Sequence, residues 1–170
     1  MITMVTTGNL LESIRKYQLD GIMNAANSVG PMGAGIAGAI RRYGGDEIES
    51  DAFKVCAVAN PTAGEAYSTI AGQLKEKGIK RIIHAVTMKR PGSHSSLEIV
   101  EKAFSSALAL AKAEKITCIG CTALGTGIGQ LPKDKVAEIM VRIGNATTDI
   151  NIVIMDFDTV FINACLLYFK

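Results

Sequence analysis

The sequence predicts an α/β fold in which a central sheet lies between two layers of helices. Short apolar runs alternate along the 170 residues with segments of helical character. The apolar runs are nearly continuous, which is typical of strands that are buried on both faces. These two observations together predict a three-layer α/β/α sandwich. The length favours a single domain over residues 1–170.

The first half of the chain contains four predicted strands and two predicted helices. Strands are expected at the apolar runs 2–7 (ITMVTT), 19–27 (LDGIMNAAN), 64–70 (GEAYSTI) and 80–87 (KRIIHAVT). Two helices, at 35–43 and 45–56, lie between the second and third strands.

The second half of the chain alternates helix and strand more clearly. Residues 95–115 are the clearest predicted helix, because apolar side chains recur there at helical spacing. A strand at 116–122 precedes a helix at 132–144, which begins with Pro132, a favourable first-turn residue. A strand at 151–157 and a helix at 158–168 complete the pattern.

Composition limits the classes of function. The formal net charge is +2, which is too small to indicate a nucleic-acid-binding or membrane-binding surface. Met1 is not followed by a secretory signal pattern, and no apolar run approaches the length of a membrane span. These features predict a cytoplasmic protein that binds neither membranes nor nucleic acid.

Cys118 and Cys121 form a C-x-x-C pair, a pattern that is found in zinc and redox sites. They lie in an apolar predicted strand, where positions three apart point to opposite faces of the sheet. The sequence has no second C-x-x-C pair. We therefore expect buried thiols here rather than a metal or redox site.

Gly33, Gly35 and Gly38 spell G-x-G-x-x-G, the phosphate fingerprint of NAD-dependent dehydrogenases. That fingerprint needs its first glycine directly after a strand, and an acid about 20 residues later for the ribose hydroxyls. Here SVGPM separates the strand from Gly33, and VCAVANPTAG contains no acid where one is needed. An NAD-dependent oxidoreductase is thus a distant alternative.

A second glycine loop repeats the design of the first. The segment TALGTGIGQLP (122–132) also follows a buried strand, contains three glycines and leads into a helix. Glycine lets backbone N–H groups approach an anion closely, and the following helix adds its positive end. Two such loops at one edge of the sheet are suited to holding a diphosphate.

DGIMNAANSVGPMGAGIAGAIRR and ALGTGIGQLPKDKVAEIM together resemble the macro domain, the ADP-ribose-binding module, and the resemblance covers nearly the whole chain. It implies a mixed six-stranded sheet and a cleft for ADP-ribose, without a cofactor or metal. Asp20 matches the acid that accepts from the adenine amino group, although it could instead cap a turn. Ile22 lies in the same adenine-side turn. Asn27 matches the residue that orients the distal ribose, although it could instead tie down its own loop.

The two glycine loops match the phosphate loops of the family. The matching residues are Gly33, Ala34, Gly35 and Ile36 in the first loop, and Gly125, Thr126, Gly127 and Ile128 in the second.

Several positions depart from the family patterns that carry catalysis. Ala37 stands where one catalytic subclass has an acid. Viral and some archaeal relatives also have an alanine at this position. Met88 stands where another subclass has a lysine, with Lys89 beside it, and Gly129 replaces that subclass's acid. The resemblance therefore implies neither of these two catalytic routes, unless Lys89 substitutes for the missing lysine.

The adenine-stacking aromatic is also replaced. Met155 stands at its position, and Phe157, expected on the same strand face, is a possible substitute. The residues predict a protein that binds ADP-ribose or its derivatives. It would either hydrolyse an ester or phosphate at the distal ribose, with Asn27 holding the water, or read ADP-ribosylated proteins without changing them.

Overall fold

The computed structural model describes residues 1–169 and confirms the predicted α/β/α sandwich. Within this range one sheet contains β1 (Ile2–Thr7), β2 (Gly21–Asn27), β3 (Ala66–Thr69), β4 (Arg81–Met88), β5 (Cys118–Cys121) and β6 (Asn151–Asp156). The α-helices are α1 (Gly35–Gly44), α2 (Glu47–Ala59), α3 (Leu97–Ala113), α4 (Lys133–Ala146) and α5 (Thr159–Tyr168). A 3₁₀-helix at Gly72–Lys77, which the pattern did not predict, precedes β4.

The sheet is mixed and six-stranded, as the family resemblance implied. Its strand order is β1-β6-β5-β2-β4-β3. The first five strands in this order are parallel, and β3 pairs antiparallel with β4. The carboxyl ends of the five parallel strands therefore meet along one side of the sheet, called the carboxyl edge below. Open α/β sheets bind ligands at this edge.

Two hydrophobic cores lie on the two faces of the sheet. Helices α3, α4 and α5 cover one core, which contains Phe104, Met140 and Phe161. Helices α1 and α2 cover the other, which contains Ile40 and Ile48. Across residues 1–169, no helix combines the length and apolarity that crossing a membrane requires.

Cys118 and Cys121 are buried free thiols, as predicted, and Cys56 and Cys165 are buried free thiols as well. Cys118 packs in the core under α1 and α2, whereas Cys121 packs in the core under α3 to α5. The two sulfur atoms thus point to opposite faces of β5. This is the arrangement that the spacing of three residues predicts for a strand.

Element boundaries shift where local hydrogen bonds compete with the sheet or end a helix. β3 begins at Ala66 rather than residue 64, and Glu65, directly before it, bonds back to Thr62 through both its N–H and its carboxylate. α3 begins at Leu97 because the Ser96 hydroxyl accepts from Ile99 N–H and caps the helix. α2 runs three residues beyond the predicted end and stops at Asn60, whose φ of +45° is left-handed.

Candidate ligand-binding cleft

A cleft of about 950 Å³ opens at the carboxyl edge. Its floor consists of residues at or near the strand ends, namely Gly8, Ala25, Thr87, Thr122 and Asp156. One wall is α1 with the loop that precedes it, and the other is the loop between β5 and α4. Because α1 and α4 cover different faces of the sheet, the two loops reach the cleft from opposite sides.

The first loop joins β2 to α1 and lines the cleft with Ala34, Gly35 and Ile36. Gly35 has a φ of +58°, which favours glycine, and an added Cβ there would meet no atom within 4 Å. The first turn of α1 contains no acidic residue, and its N-cap Ala34 provides no side-chain hydrogen bond. Within residues 1–169, the N–H groups of residues 33–36 have no hydrogen-bond acceptor. The positive end of α1 is therefore free to meet an anion.

The second loop closes on itself and leaves a similar set of donors. Leu131 N–H bonds to Gly125 O at 3.1 Å, and Gln130 N–H bonds to Gly127 O at 3.1 Å. The N–H groups of residues 125–128 have no acceptor in the described part of the chain. Gly125, Thr126, Gly127 and Ile128 all line the cleft. Each wall thus presents one glycine loop with uncommitted backbone donors.

Two side chains hold the first loop in shape. Glu49 of α2 accepts from Met32 N–H at 2.7 Å, directly before the glycines, and pairs with Arg41 at 3.2 Å. Asn27 Oδ1 accepts from Val29 N–H at 3.0 Å and Gly30 N–H at 2.8 Å, while its Nδ2 donates to Pro31 O at 3.0 Å. Asn27 is buried and does not line the cleft. The structure thus assigns Asn27 to its own loop, and a direct role in catalysis stays a prediction.

The expectation that Asp20 binds adenine is wrong. Asp20 precedes β2, so roughly 20 Å of strand separates it from the carboxyl edge. Its carboxylate accepts from Cys118 N–H at 2.8 Å, from Thr117 N–H at 2.9 Å and from the Thr117 hydroxyl at 3.0 Å, and pairs with Lys80 at 2.9 Å. Burial would raise the pKa of this carboxyl, but these hydrogen bonds outweigh burial and lower its pKa. Asp20 therefore links the amino ends of β2 and β5 through hydrogen bonds.

Three further expectations about the cleft need correction. Ile22 is fully buried in the sheet core, two residues from Asp20, and does not reach the cleft. Met155 is 2% exposed, and its sulfur would lie 3.2 Å from a Cβ added at Gly8, so it packs beneath the cleft floor. Gly33 flanks the first loop without lining the cleft. The Ile22 and Met155 side chains are therefore packed in the core and do not reach the opening.

Phe157 lines the cleft, as the sequence pattern suggested, but for a different reason. β6 ends at Asp156, so Phe157 lies beyond the strand and does not share a strand face with Met155. Its side chain is 74% exposed, which leaves the ring available at the cleft mouth.

Several residues that line the cleft were not predicted from the sequence, namely Asn9, Leu10, Leu11, Ala39, Arg42, Tyr43, Lys133, Asp156 and Asp158. Asn9 could have been found from the sequence, because Gly8 and Asn9 directly follow a predicted strand that ends at the carboxyl edge. A signal also existed on α1, because Ile36, Ala39 and Tyr43 follow helical spacing from the glycine loop. Tyr43 Oη donates to Glu12 at 2.9 Å, which fixes the end of α1 beside the segment after β1.

The cleft contains few groups suited to acid–base chemistry. Asp156 accepts from Ala123 N–H at 3.0 Å and Asp158 N–H at 2.9 Å, and Asp158 is ion-paired with Lys133. His84 lies outside the cleft between Asn24 and Thr69, and burial lowers its pKa to about 3, so its ring is neutral. Over residues 1–169, no cluster of three or more His, Cys, Asp or Glu side chains is arranged to hold a metal ion.

The positions that depart from the catalytic patterns keep their character in the fold. Ala37 is buried in α1, Met88 lines the cleft at the end of β4, and Gly129 lines it beside the second loop. Lys89 does not line the cleft, and its carbonyl accepts from Ser28 N–H. No side chain at these four positions therefore presents an acid or a base to the cleft.

The chain belongs to the macro domain family, whose model matches residues 23–140. An uncharacterized protein of Aquifex aeolicus is 43% identical over 130 residues, which cover 76% of this chain and 75% of that protein. A Salmonella gallinarum protein named O-acetyl-ADP-ribose deacetylase is 36% identical over 135 residues, covering 76% of this chain and 72% of that protein.

The fold matches solved structures of the family. A mutant Oceanobacillus iheyensis macrodomain, solved with ADPR, superposes with a TM-score of 0.80 at 22% identity, over 98% of this chain and 89% of that one. Some curated relatives are longer: the chain spans 63% of one from Aeropyrum pernix and 21% of one from Thermotoga maritima.

Proposed function

We propose that the cleft binds ADP-ribose, either free or attached to a protein. The diphosphate would lie between the two glycine loops, with the adenine toward the β1–β6 end of the cleft. The distal ribose would lie toward the β2–β4 end. The name of the 36% identical Salmonella relative, an O-acetyl-ADP-ribose deacetylase, supports a ligand of this class.

The observation that carries the proposal is the pair of glycine loops with uncommitted N–H groups. These loops line opposite walls of one cleft, and neither offers a carboxylate that would repel a phosphate. Backbone N–H groups form strong hydrogen bonds with charged oxygens. The positive end of α1 adds a favourable field at the same point. A diphosphate is the anion that two facing loops fit best.

The β1–β6 end of the cleft suits a purine base. Asn9 Oδ1 is used by Leu11 N–H at 3.0 Å and lies 3.4 Å from Glu12 N, which leaves the Asn9 amide N–H groups for the ligand. We infer that Asn9 donates to a ring nitrogen of adenine, where Asp20 had been expected to accept from its amino group. Leu10, Leu11 and the exposed Phe157 ring line the same cleft and would supply apolar contact to the base.

Hydrolysis at the distal ribose is a second candidate, which the name of the Salmonella relative favours. Ala25, Thr87 and Met88 line the β2–β4 end of the cleft, and none of them is an acid or a base. Turnover would therefore rest on substrate positioning and on stabilisation of the oxyanion by the loop N–H groups. Asn27 would contribute only through its remaining amide N–H.

Calorimetric titration with ADP-ribose tests the binding proposal. Gly127→Val is the informative variant, because an added Cβ would meet no protein atom within 4 Å yet Gly127 lines the cleft. We expect normal folding and a loss of affinity of about tenfold or more, since the valine occupies ligand space. NAD should bind less tightly than ADP-ribose, because its nicotinamide extends beyond the distal ribose.

The matched control is Ala57→Val, which adds the same side chain on the exposed face of α2, outside the cleft lining. Equal affinity of wild type and Gly127→Val for ADP-ribose would contradict the proposed site. To separate hydrolase from reader, wild type and Asn27→Ala are incubated with O-acetyl-ADP-ribose, ADP-ribose 1″-phosphate and an ADP-ribosylated protein. The protein is a hydrolase if wild type releases product and Asn27→Ala lowers the rate of release more than it lowers the binding affinity. It is a reader if wild type binds these ligands without releasing product.

A further inference from the structure

The cleft that would take a diphosphate is lined by as many acidic as basic side chains. Its charged side chains are Arg42, Lys133, Asp156 and Asp158. Lys133 is ion-paired with Asp158, so its charge is already neutralised by a partner in the protein. Asp156 adds a negative charge at the floor. Arg42 is thus the cation that offsets Asp156.

Arg42 differs from Lys133, because no carboxylate of the described residues pairs with it. No ion pair of Arg42 occurs among residues 1–169, and its side chain is exposed. The preceding residue Arg41 differs, because it pairs with Asp46 at 2.7 Å and Glu49 at 3.2 Å. One of two adjacent arginines is therefore committed to structure, and the other is free to meet a ligand.

The Arg42 guanidinium lies beside the first glycine loop. A Cβ added at Gly38 would lie 3.3 Å from Arg42 Nη1 and 3.1 Å from Gly33 O. Both atoms therefore flank the same point over the first turns of α1. Helical side chains lean toward the N-terminus of their helix, which explains how a residue in the second turn reaches back this far.

We propose that Arg42 is a specificity-determining residue that contacts the diphosphate of the ligand from outside the first loop. This inference rests on the proposed function and adds a side-chain cation to the backbone donors. Its consequence is selectivity for ligands that carry phosphate next to the first loop, since without Arg42 the lining side chains carry a net negative charge. A planar guanidinium also suits a phosphate through two parallel hydrogen bonds.

The test compares ADP-ribose with adenosine, which lacks phosphate, on wild type, Arg42→Gln, Arg42→Lys and the control Arg15→Gln. Arg15 is exposed, lies outside the cleft lining and gives the same change in net charge. We expect Arg42→Gln to weaken ADP-ribose binding by about threefold to tenfold at low salt, the range between an exposed pair and a charge-assisted contact. The ADP-ribose affinity of Arg42→Lys should lie between those of wild type and Arg42→Gln, and adenosine affinity should be the same in all variants.

The ADP-ribose effect should shrink at high salt, because an exposed charge contact is screened. Three results would overturn the inference: unchanged ADP-ribose affinity in Arg42→Gln, an equal loss for adenosine, or an equal loss in Arg15→Gln. An equal loss for adenosine would mean that Arg42 stacks on the base. If wild type itself fails to bind ADP-ribose, the proposed function fails; if only the Arg42→Gln effect is missing, the binding proposal stands and this inference does not.

Discussion

Replacing Asp20 by alanine should destabilise the fold and leave ligand binding intact. The carboxylate is 15% exposed and accepts from two backbone N–H groups, from the Thr117 hydroxyl and from Lys80. Hydrogen bonds to a charged group contribute about 1.5–3 kcal/mol each, but they are not additive and water can replace some of them. We therefore expect a loss of about 2–4 kcal/mol in the free energy of unfolding.

Thermal unfolding measures this loss directly. For a chain of this length, 1 kcal/mol lowers Tm by about 2–4 °C, so Asp20→Ala should melt about 5–15 °C below wild type. The matched control is Asp46→Ala, whose carboxylate is 82% exposed and paired with Arg41, and which should cost less than about 1 kcal/mol. ADP-ribose affinity of Asp20→Ala, measured well below its Tm, should stay within about twofold of wild type.

The pH dependence has a defined sign. The folded protein lowers the pKa of Asp20, so this carboxylate stabilises the fold above its unfolded pKa of about 3.9. The stabilisation is lost as pH falls through the lower, folded pKa. The difference in stability between wild type and Asp20→Ala should therefore narrow below about pH 4. A normal Tm together with a large loss of ADP-ribose affinity would refute this reasoning and return Asp20 to the ligand.

The remaining predictions concern the cleft mouth and the support of the first loop. Phe157→Ala should weaken ADP-ribose binding by about 1–3 kcal/mol by removing a stacking ring, whereas Met155→Phe should lower stability by about 1–3 kcal/mol through overpacking. Calorimetry and thermal melts separate the two, and tighter binding by Met155→Phe would contradict its buried position. Glu49→Gln should weaken ADP-ribose binding, because the carboxylate that holds Met32 N–H loses its charge. Asp51→Asn is its control, since Asp51 lies on the same helix, outside the cleft, and accepts from Ile70 N–H at 2.9 Å. An equal loss of ADP-ribose affinity in both variants would count against Glu49 as a support of the first loop.

The fold and the two loops could be predicted because their signals are local. Continuous apolar runs marked the buried parallel strands, and closely spaced glycines marked the backbone that must approach an anion. The N–H groups of these loops have no acceptor among residues 1–169. What these patterns do not contain is the direction of a particular side chain.

The side-chain predictions that failed depended on which end of a strand a residue occupies, or on the direction of its side chain. Asp20 was assigned to the cleft through the family resemblance, although a residue before a parallel strand lies at the edge opposite the strand's carboxyl end. Met155 and Phe157 were expected to share a strand face, but β6 ends between them, so one is buried and the other exposed. Arg42 was not predicted from the sequence, because the pairing of Lys133 with Asp158, on which the proposal for Arg42 rests, depends on tertiary structure.

The most direct test of the central claim is an NMR titration of the ¹⁵N-labelled protein with ADP-ribose, followed through the backbone amide resonances. If the two glycine loops hold the diphosphate, the amides of residues 34–36 and 125–128 should show the largest shifts and become protected from solvent exchange together. The amides of Thr117 and Cys118 beside Asp20 should not move. Shifts centred on those two residues, or none in either glycine loop at saturating ADP-ribose, would contradict the account.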